Sequence, residues 1–169
     1  MGEGARIPPR KEKHANHHIH IDTQLARAII LNYDHDPDVY KVAKALESKG
    51  NTLTISLTAL GEVFAGIGNA IEDGERISQE KLNGLSRRMF FMLEDKTISF
   101  CVLHKEDFAI VAKLLDAEPD IDATDALIVA HALGCESCDV FYTLDSTVIK
   151  SKAVARIAKE NDVKILSLN

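Results

Sequence analysis

Short apolar or β-branched runs alternate with longer segments whose apolar residues recur at helical spacing, and this alternation constrains the fold most. The first predicted strand ends at Asp22, and the others cover 52–56, 97–103, 140–144 and 163–168. Between them, apolar side chains recur three or four positions apart, as in amphipathic helices. Strands that alternate with helices predict an α/β fold, in which a parallel sheet is covered by helices on both faces.

Turn and capping residues give the approximate limits of the predicted helices. These helices cover 23–31, 37–48, 58–66, 78–93, 106–115, 122–134 and 151–160. Gly66 and Gly68 are expected to break the chain after the third helix. The helix that begins at Asp122 is apolar on nearly every side, which predicts that it is buried.

Length and composition indicate one domain with its own core. The chain has 169 residues, of which 46% are hydrophobic, and its net charge is −6. No apolar run reaches the roughly 18–20 residues that a membrane-spanning helix needs. Residues 1–16 are polar and basic, so we expect a flexible arm without the apolar centre of a signal peptide, followed by one domain over 17–169. A cytoplasmic location is the corresponding expectation.

Four acids stand at predicted junctions between strands and helices or in the first turns of helices. Asp22 and Asp145 end strands, where the functional crevice of a parallel sheet lies. Glu62 and Asp125 belong to apolar helices and have no Lys or Arg close by in sequence. Each acid alone is explained as a helix cap or a surface residue. Together they favour a site for a divalent cation, and their oxygen ligands suit Mg²⁺ or Mn²⁺ better than Zn²⁺.

Four motifs in order resemble those of the PIN-domain family, across roughly residues 19–168. They are Ile21-Asp22-Thr23, the segment Ser56–Val63 that contains Glu62, the segment Asp122–Ala130 that contains Asp125, and Tyr142-Thr143-Leu144-Asp145. The resemblance implies a three-layer α/β/α fold with about five parallel strands in the order 3-2-1-4-5. It also implies a ribonuclease dependent on Mg²⁺ or Mn²⁺, similar to the toxins of toxin–antitoxin pairs.

The resemblance further implies a division of work among the acids. Asp22, Asp125 and Asp145 would hold a first cation, and Glu62 would join Asp125 in holding a second one. A metal-bound hydroxide would then cleave the RNA phosphodiester and leave a 5′-phosphate. Thr23 or Thr143 would hydrogen-bond a ligand carboxylate or the metal-bound water. The partners that it implies are an antitoxin and a second copy of the chain.

Local basic residues are needed for RNA contact, because the net charge is negative. Lys150, Lys152 and Arg156 follow Asp145 closely and are the candidates, with a solvated helix face as the alternative. The Cys135-x-x-Cys138 motif allows a Zn²⁺ site with His131 or a redox pair, or two ordinary thiols.

Three other functions remain open from the sequence. The first is an RNA-processing PIN nuclease that has no antitoxin. The second is a non-catalytic PIN-like module that binds RNA or a protein. The third, a phosphatase with an aspartate nucleophile, would be expected to carry Asp-x-Asp after the first strand, whereas this chain has Asp22-Thr23-Gln24.

Overall fold

The computed structural model describes residues 18–32, 36–48, 51–72 and 78–167. Its strands are β1 (His18–Ile21), β2 (Thr52–Ser56), β3 (Ile98–Cys101), β4 (Val140–Tyr142) and β5 (Lys164–Leu166). Its helices are α1 (Thr23–Leu31), α2 (Pro37–Ser48), α3 (Leu57–Glu72), α4 (Gln79–Glu94), α5 (Asp107–Ala117), α6 (Ala123–Gly134), α7 (Ser146–Lys150) and α8 (Lys152–Glu160). The predicted arm at 1–16 lies outside the described residues.

The five strands form one parallel sheet in the order β3-β2-β1-β4-β5. The order and the parallel direction confirm the predicted sheet, and helices surround it as in a three-layer PIN-like fold. The central strand β1 pairs with both β2 and β4, so Ile21 lies beside Ile55 on one side and Tyr142 on the other. This pairing places the carboxyl ends of the first and fourth strands next to each other.

Aliphatic side chains on both sides of the sheet make the core. Helix α1 packs against α2, α3 and α4, while α5 packs against α6 and α8. The central strands contribute Ile21, Leu53 and Ile55, each almost fully buried. Helix α6 is buried over most of its length, as its apolar sequence predicts. Among the described residues, no helix is both long and apolar enough to cross a membrane.

Helix α3 shows where the predicted boundaries were wrong. It continues to Glu72 through Gly66 and Gly68, which were expected to break it. A Cβ atom at either glycine would meet nothing within 4 Å, so both glycines occupy open positions on the helix. Val63 and Ile67 pack against the core on the same helix, and this burial offsets the roughly 1 kcal/mol that a helical glycine costs relative to alanine.

The short helix α7 was not predicted, because five residues are too few to show an amphipathic period. Strands β3 and β4 also end earlier than predicted, at Cys101 and Tyr142. The earlier end of β4 leaves Thr143, Leu144 and Asp145 in a connection that leads directly to α7.

Candidate functional site

Adjacent strands bring Asp22 and Asp145 to the same edge of the sheet. Asp22 follows β1 directly, and its backbone amide donates to the Tyr142 carbonyl, 3.1 Å away, at the end of β4. Asp145 comes three residues after Tyr142 and caps the start of α7. The two acids therefore stand at the carboxyl ends of neighbouring parallel strands, as expected.

Asp22 is a buried carboxylate that accepts hydrogen bonds at both oxygens. Oδ1 accepts from the Leu25 amide at 2.9 Å and caps α1, while Oδ2 accepts from the Leu144 amide at 2.7 Å. Burial raises the pKa of Asp22, and the negative charge of Asp145 acts in the same direction. The two amides and the Thr143 side chain oppose this rise, because they stabilise the ionised carboxylate.

Asp145 and Asp122 also serve as helix caps. Asp145 Oδ1 accepts from the Thr147 amide at 2.6 Å, at the start of α7. Asp122 Oδ1 accepts from the Thr124 and Asp125 amides, both at 2.8 Å, at the start of α6. Capping thus accounts for one oxygen of each acid and is compatible with a further role for Asp145 through its other oxygen.

Asp125 lies half-buried in the first turn of α6 and has the clearest electrostatic anomaly of the site. Its pKa is raised to about 6, first by burial and then by the charges of Asp122, Asp145, Glu62 and Asp22. The other three acids proposed from sequence are therefore all within electrostatic reach of Asp125.

Glu62 joins the site from α3. Its carboxylate accepts a hydrogen bond from the hydroxyl of Thr23, the first residue of α1, which directly follows Asp22 in the chain. The sequence assigned Thr23 a bond to a carboxylate or to a metal-bound water, and the structure gives it the carboxylate of Glu62.

A cavity of about 190 Å³ contains most of these groups. Its lining combines the three acids Asp22, Asp125 and Asp145 with apolar side chains. The full lining is Asp22, Thr23, Gln24, Asp125, Ile128, Val129, Phe141, Thr143, Asp145 and Val148. Gln24 was not among the predicted site residues. Its place directly after Thr23, at the start of a helix that leaves the acidic edge, is the signal that could have identified it.

The donor chemistry of this cavity fits a hard divalent cation. Carboxylate and hydroxyl oxygens line it, and no ion pair with a basic side chain is found for the four acids within the described residues. In that same part of the chain, no three Asp, Glu, His or Cys side chains converge closely enough to hold an ion as they stand. A bound cation would therefore have to draw the carboxylates together, which it favours by relieving the repulsion at Asp125.

The predicted basic residues differ in their surroundings. Arg156 Nε lies 4.0 Å from the Glu160 carboxylate. Lys152 lies beside Glu118, whose pKa is lowered first by the Ala153 amide, then by the Ser151 hydroxyl, and least by Lys152. Lys150 ends α7 and is exposed, and no carboxylate partner is found for it among the described residues. Of the three predicted basic residues, Lys150 is therefore the one with no acidic side chain beside it in the part of the chain that the structure describes.

The sheet order and the surrounding helices give the chain a PIN-like fold. No protein-family model matches the sequence, and no curated protein matches it either. Solved structures do match by shape. FitAB, in its structure bound to the IR36 DNA fragment, has a TM-score of 0.55 and 16% identity, with 88% of this chain and 94% of that chain covered.

FitAcB from Neisseria gonorrhoeae is similar to the same degree. Its structure has a TM-score of 0.55 and 18% identity, with 88% of this chain and 96% of that chain covered. At these identities the likeness is one of fold, and it extends over nearly the whole length of both structures. The PIN-like fold expected from the four motifs is thereby confirmed.

Proposed function

We propose that this chain is a metal-dependent endoribonuclease that acts as the toxin of a toxin–antitoxin pair. The observation that carries the proposal is the position of Asp125, whose pKa is raised to about 6 by burial and by four surrounding acids. A cluster of like charges in a cavity is unfavourable without a cation, and perturbed carboxylates of this kind concentrate at functional sites. The PIN-like fold supports a hydrolase acting on nucleic acid.

The chain's own residues would position a divalent cation and an RNA phosphate. Asp22, Asp125 and Asp145 would hold the cation, with Glu62 completing a second position beside Asp125. Mg²⁺ or Mn²⁺ supplies a water of lowered pKa and stabilises negative charge on the phosphate. The amides of Leu25 and Leu144 orient Asp22, and Thr23 orients Glu62.

The proposed partners follow from charge and from the structural relatives. FitAB is a PIN-domain toxin with its FitA antitoxin, and this supports an antitoxin for the present chain. Because the cavity is acidic, the covering segment of the antitoxin would carry a basic side chain into it. RNA would approach from the side of Lys150. A homodimer stays a prediction, and a measurement of the molecular mass in solution would test it.

Cleavage of a panel of single-stranded and structured RNAs tests the proposal. The protein is assayed with Mg²⁺, with Mn²⁺ and with EDTA, alongside Asp125→Asn and Glu62→Gln. Asp116→Asn is the matched control, because Asp116 is an exposed acid of α5 outside the cavity. We expect cleavage that depends on the added metal. Asp125→Asn should reduce it at least about 100-fold, because a metal-binding carboxylate is lost. Asp116→Asn should cleave as the wild type does.

Equal cleavage by wild type and Asp125→Asn would contradict the nuclease assignment. Activity that persists in EDTA would contradict its metal dependence. Co-purification with a product of a neighbouring gene that silences cleavage would support the toxin assignment over an RNA-processing role.

A non-catalytic module that binds RNA or protein is the second candidate, because both oxygens of Asp22 are already engaged by backbone amides. That module would bind RNA equally well with and without a divalent cation and would cut none of the panel.

A further inference from the structure

Two buried histidines pack against each other between the sheet and helix α6. His20 belongs to β1 and His131 to α6, and their exposed fractions are 2% and 1%. Their ring centroids are 5.5 Å apart, and the ring planes are tilted by 45°. Among the described residues, the Nε2 atom of each ring is buried and has no hydrogen-bond partner. A buried polar atom without a partner costs free energy, so two such atoms in one ring contact require an explanation.

The surroundings of His131 determine which of its ring nitrogens carries the proton. Nδ1 lies 3.3 Å from the buried Asp107 carboxylate, which also accepts from the His104 amide at 2.8 Å. Because a carboxylate accepts hydrogen bonds, Nδ1 donates its proton there and Nε2 keeps a lone pair. Burial lowers the pKa of His131, so the ring is neutral at pH 7. A histidine whose other nitrogen donates to a carboxylate is typical of metal ligands.

His20 supplies a second imidazole at a suitable distance. Burial, followed by the charges of His131 and His18, lowers its pKa to about 4, so this ring is also neutral at pH 7. Two imidazoles that bind one ion through Nε2 have ring centroids roughly 5–6.5 Å apart, because each metal–nitrogen distance is about 2 Å. The separation of 5.5 Å lies within this range. Thr54, which pairs with His20 on β2, lines an open groove of about 590 Å³, so ions from solution can come close to the pair.

We propose that His20 and His131 form a binding site for one monovalent copper ion, held between their two Nε2 atoms. Copper in this state accepts two nitrogen ligands, whereas a structural Zn²⁺ site takes four protein ligands. In the part of the chain that the structure describes, no three His, Cys, Asp or Glu side chains are placed to hold one ion. The Zn²⁺ site that the sequence allowed with Cys135, Cys138 and His131 is therefore not formed there.

Charge also favours a monovalent ion at this pair. The Asp107 carboxylate is buried behind His131, and no ion pair with Lys or Arg is found for it within the described ranges. Cu⁺ together with this carboxylate is neutral overall, whereas a divalent ion would leave a net positive charge buried, which is costly. Neither histidine lines the acidic cavity, so the copper site is independent of the proposed nuclease centre.

Nitrogen NMR of the full chain, prepared with isotope-labelled histidine, tests the proposal. The protein is titrated in the absence of oxygen with Cu⁺, supplied as its acetonitrile complex, and the ring signals are assigned through bonds to the backbone. We expect the Nε2 signals of His20 and His131 to shift in parallel, because both lone pairs become bound to the same ion. His104, which is exposed, is the internal control, and its ring signals should not follow the same titration curve.

Two variants distinguish a copper site from a packing contact. Asp107→Asn keeps the size of the side chain and an acceptor oxygen. It should weaken copper binding at the pair by about 10–100-fold, the usual cost of losing a carboxylate behind a metal-binding histidine. His131→Gln should abolish the shift of the His20 signal.

Two results would overturn the assignment. One is a wild type whose His20 and His131 signals stay unchanged in an excess of Cu⁺, whether or not copper binds to thiols or to other histidines. The other is a His20 signal that shifts equally in His131→Gln. The wild-type titration gives the first answer even if a variant fails to fold.

Discussion

The Asp22 carboxylate joins the first strand to the segment after the fourth, because its Oδ2 accepts a hydrogen bond from the Leu144 amide, 122 positions along the chain and 2.7 Å away. Its other oxygen caps α1 through the Leu25 amide. One side chain therefore holds two separate buried or half-buried backbone donors. A candidate metal ligand is thus also part of what stabilises the sheet edge.

The first prediction concerns the stability of Asp22 variants. Asp22→Ala leaves the Leu25 and Leu144 amides without an acceptor, and we expect it to lower the free energy of unfolding by about 2–4 kcal/mol. Asp22→Asn keeps one carbonyl oxygen and should cost about half as much. Urea unfolding at neutral pH measures both variants, with Asp116→Asn as the surface control. A loss below about 0.5 kcal/mol for Asp22→Ala, the range of an ordinary surface change, would contradict the structural role.

The second prediction is a pH dependence that Asp125 confers. The pKa of its folded-state carboxyl is about 6, against an ordinary value of 3.8. The unfolded chain loses this proton at a lower pH than the folded protein does. The free energy of unfolding therefore falls as pH rises from about 4 to 6, and it stays lowered above that range. In EDTA, Asp125→Asn should therefore be more stable than the wild type at pH 7, and this advantage should shrink towards pH 4.

Urea unfolding of both proteins across this pH range measures the difference in stability, in which the titration of groups far from Asp125 cancels. Addition of Mg²⁺ or Mn²⁺ should then stabilise the wild type more than the variant, because a cation compensates the charge that the variant lacks. In EDTA, a difference in stability between Asp125→Asn and the wild type that stays the same from pH 4 to pH 7 would contradict the electrostatic description of the site.

The order of the elements and the positions of the acids could be predicted because they depend on local pattern. The apolar periodicity predicted the limits of α1 and α2 correctly. The acids that follow two of the strands, Asp22 and Asp145, indicated which edge of the parallel sheet carries the candidate site. The bond between Asp22 and Leu144 could not be predicted, because it depends on the path of the connection after β4, which the strand order does not give.

Gly66 shows a different limit of sequence analysis. Glycine disfavours a helix on average, but α3 also carries Val63, which is buried in the core, and Ile67, which is half-buried against it. Intrinsic propensity amounts to about 1 kcal/mol for a glycine, and one buried aliphatic side chain contributes about 1.5–3 kcal/mol.

The third prediction compares two helical glycines. A Cβ at Gly134, the last residue of α6, would collide with the Asp107 carboxylate, which is buried and accepts from the His104 amide at 2.8 Å. Gly134→Ala should therefore destabilise the protein by about 1–3 kcal/mol. Gly61→Ala is the matched control, since a Cβ there meets nothing within 4 Å, and it should stabilise α3 by up to about 1 kcal/mol.

Thermal unfolding of the two variants beside the wild type is sufficient to check this prediction. A Gly134→Ala protein that melts at or above the wild-type temperature would show that Asp107 can move away at little cost.

The fourth prediction concerns acid sensitivity of the buried pair His20 and His131. Their ring centroids are 5.5 Å apart, and within the described residues the Nε2 atoms of both are buried without a hydrogen-bond partner. His131 Nδ1 lies 3.3 Å from the Asp107 carboxylate. Burial, followed by the charges of His131 and His18, lowers the pKa of His20 to about 4.

A base with a lowered folded-state pKa costs stability as pH falls, because the unfolded state binds the proton first. For His20 the loss begins near its ordinary value of 6.5 and is complete below about 4, and it amounts to something on the order of 3 kcal/mol. His20→Leu has a similar volume and removes an unpartnered nitrogen, so it should be close to neutral at pH 7 and clearly more stable than the wild type at pH 4.5. Urea unfolding of both proteins at these two pH values measures the difference. An equal loss of stability at the lower pH in both proteins would rule out His20 as the acid-sensitive group.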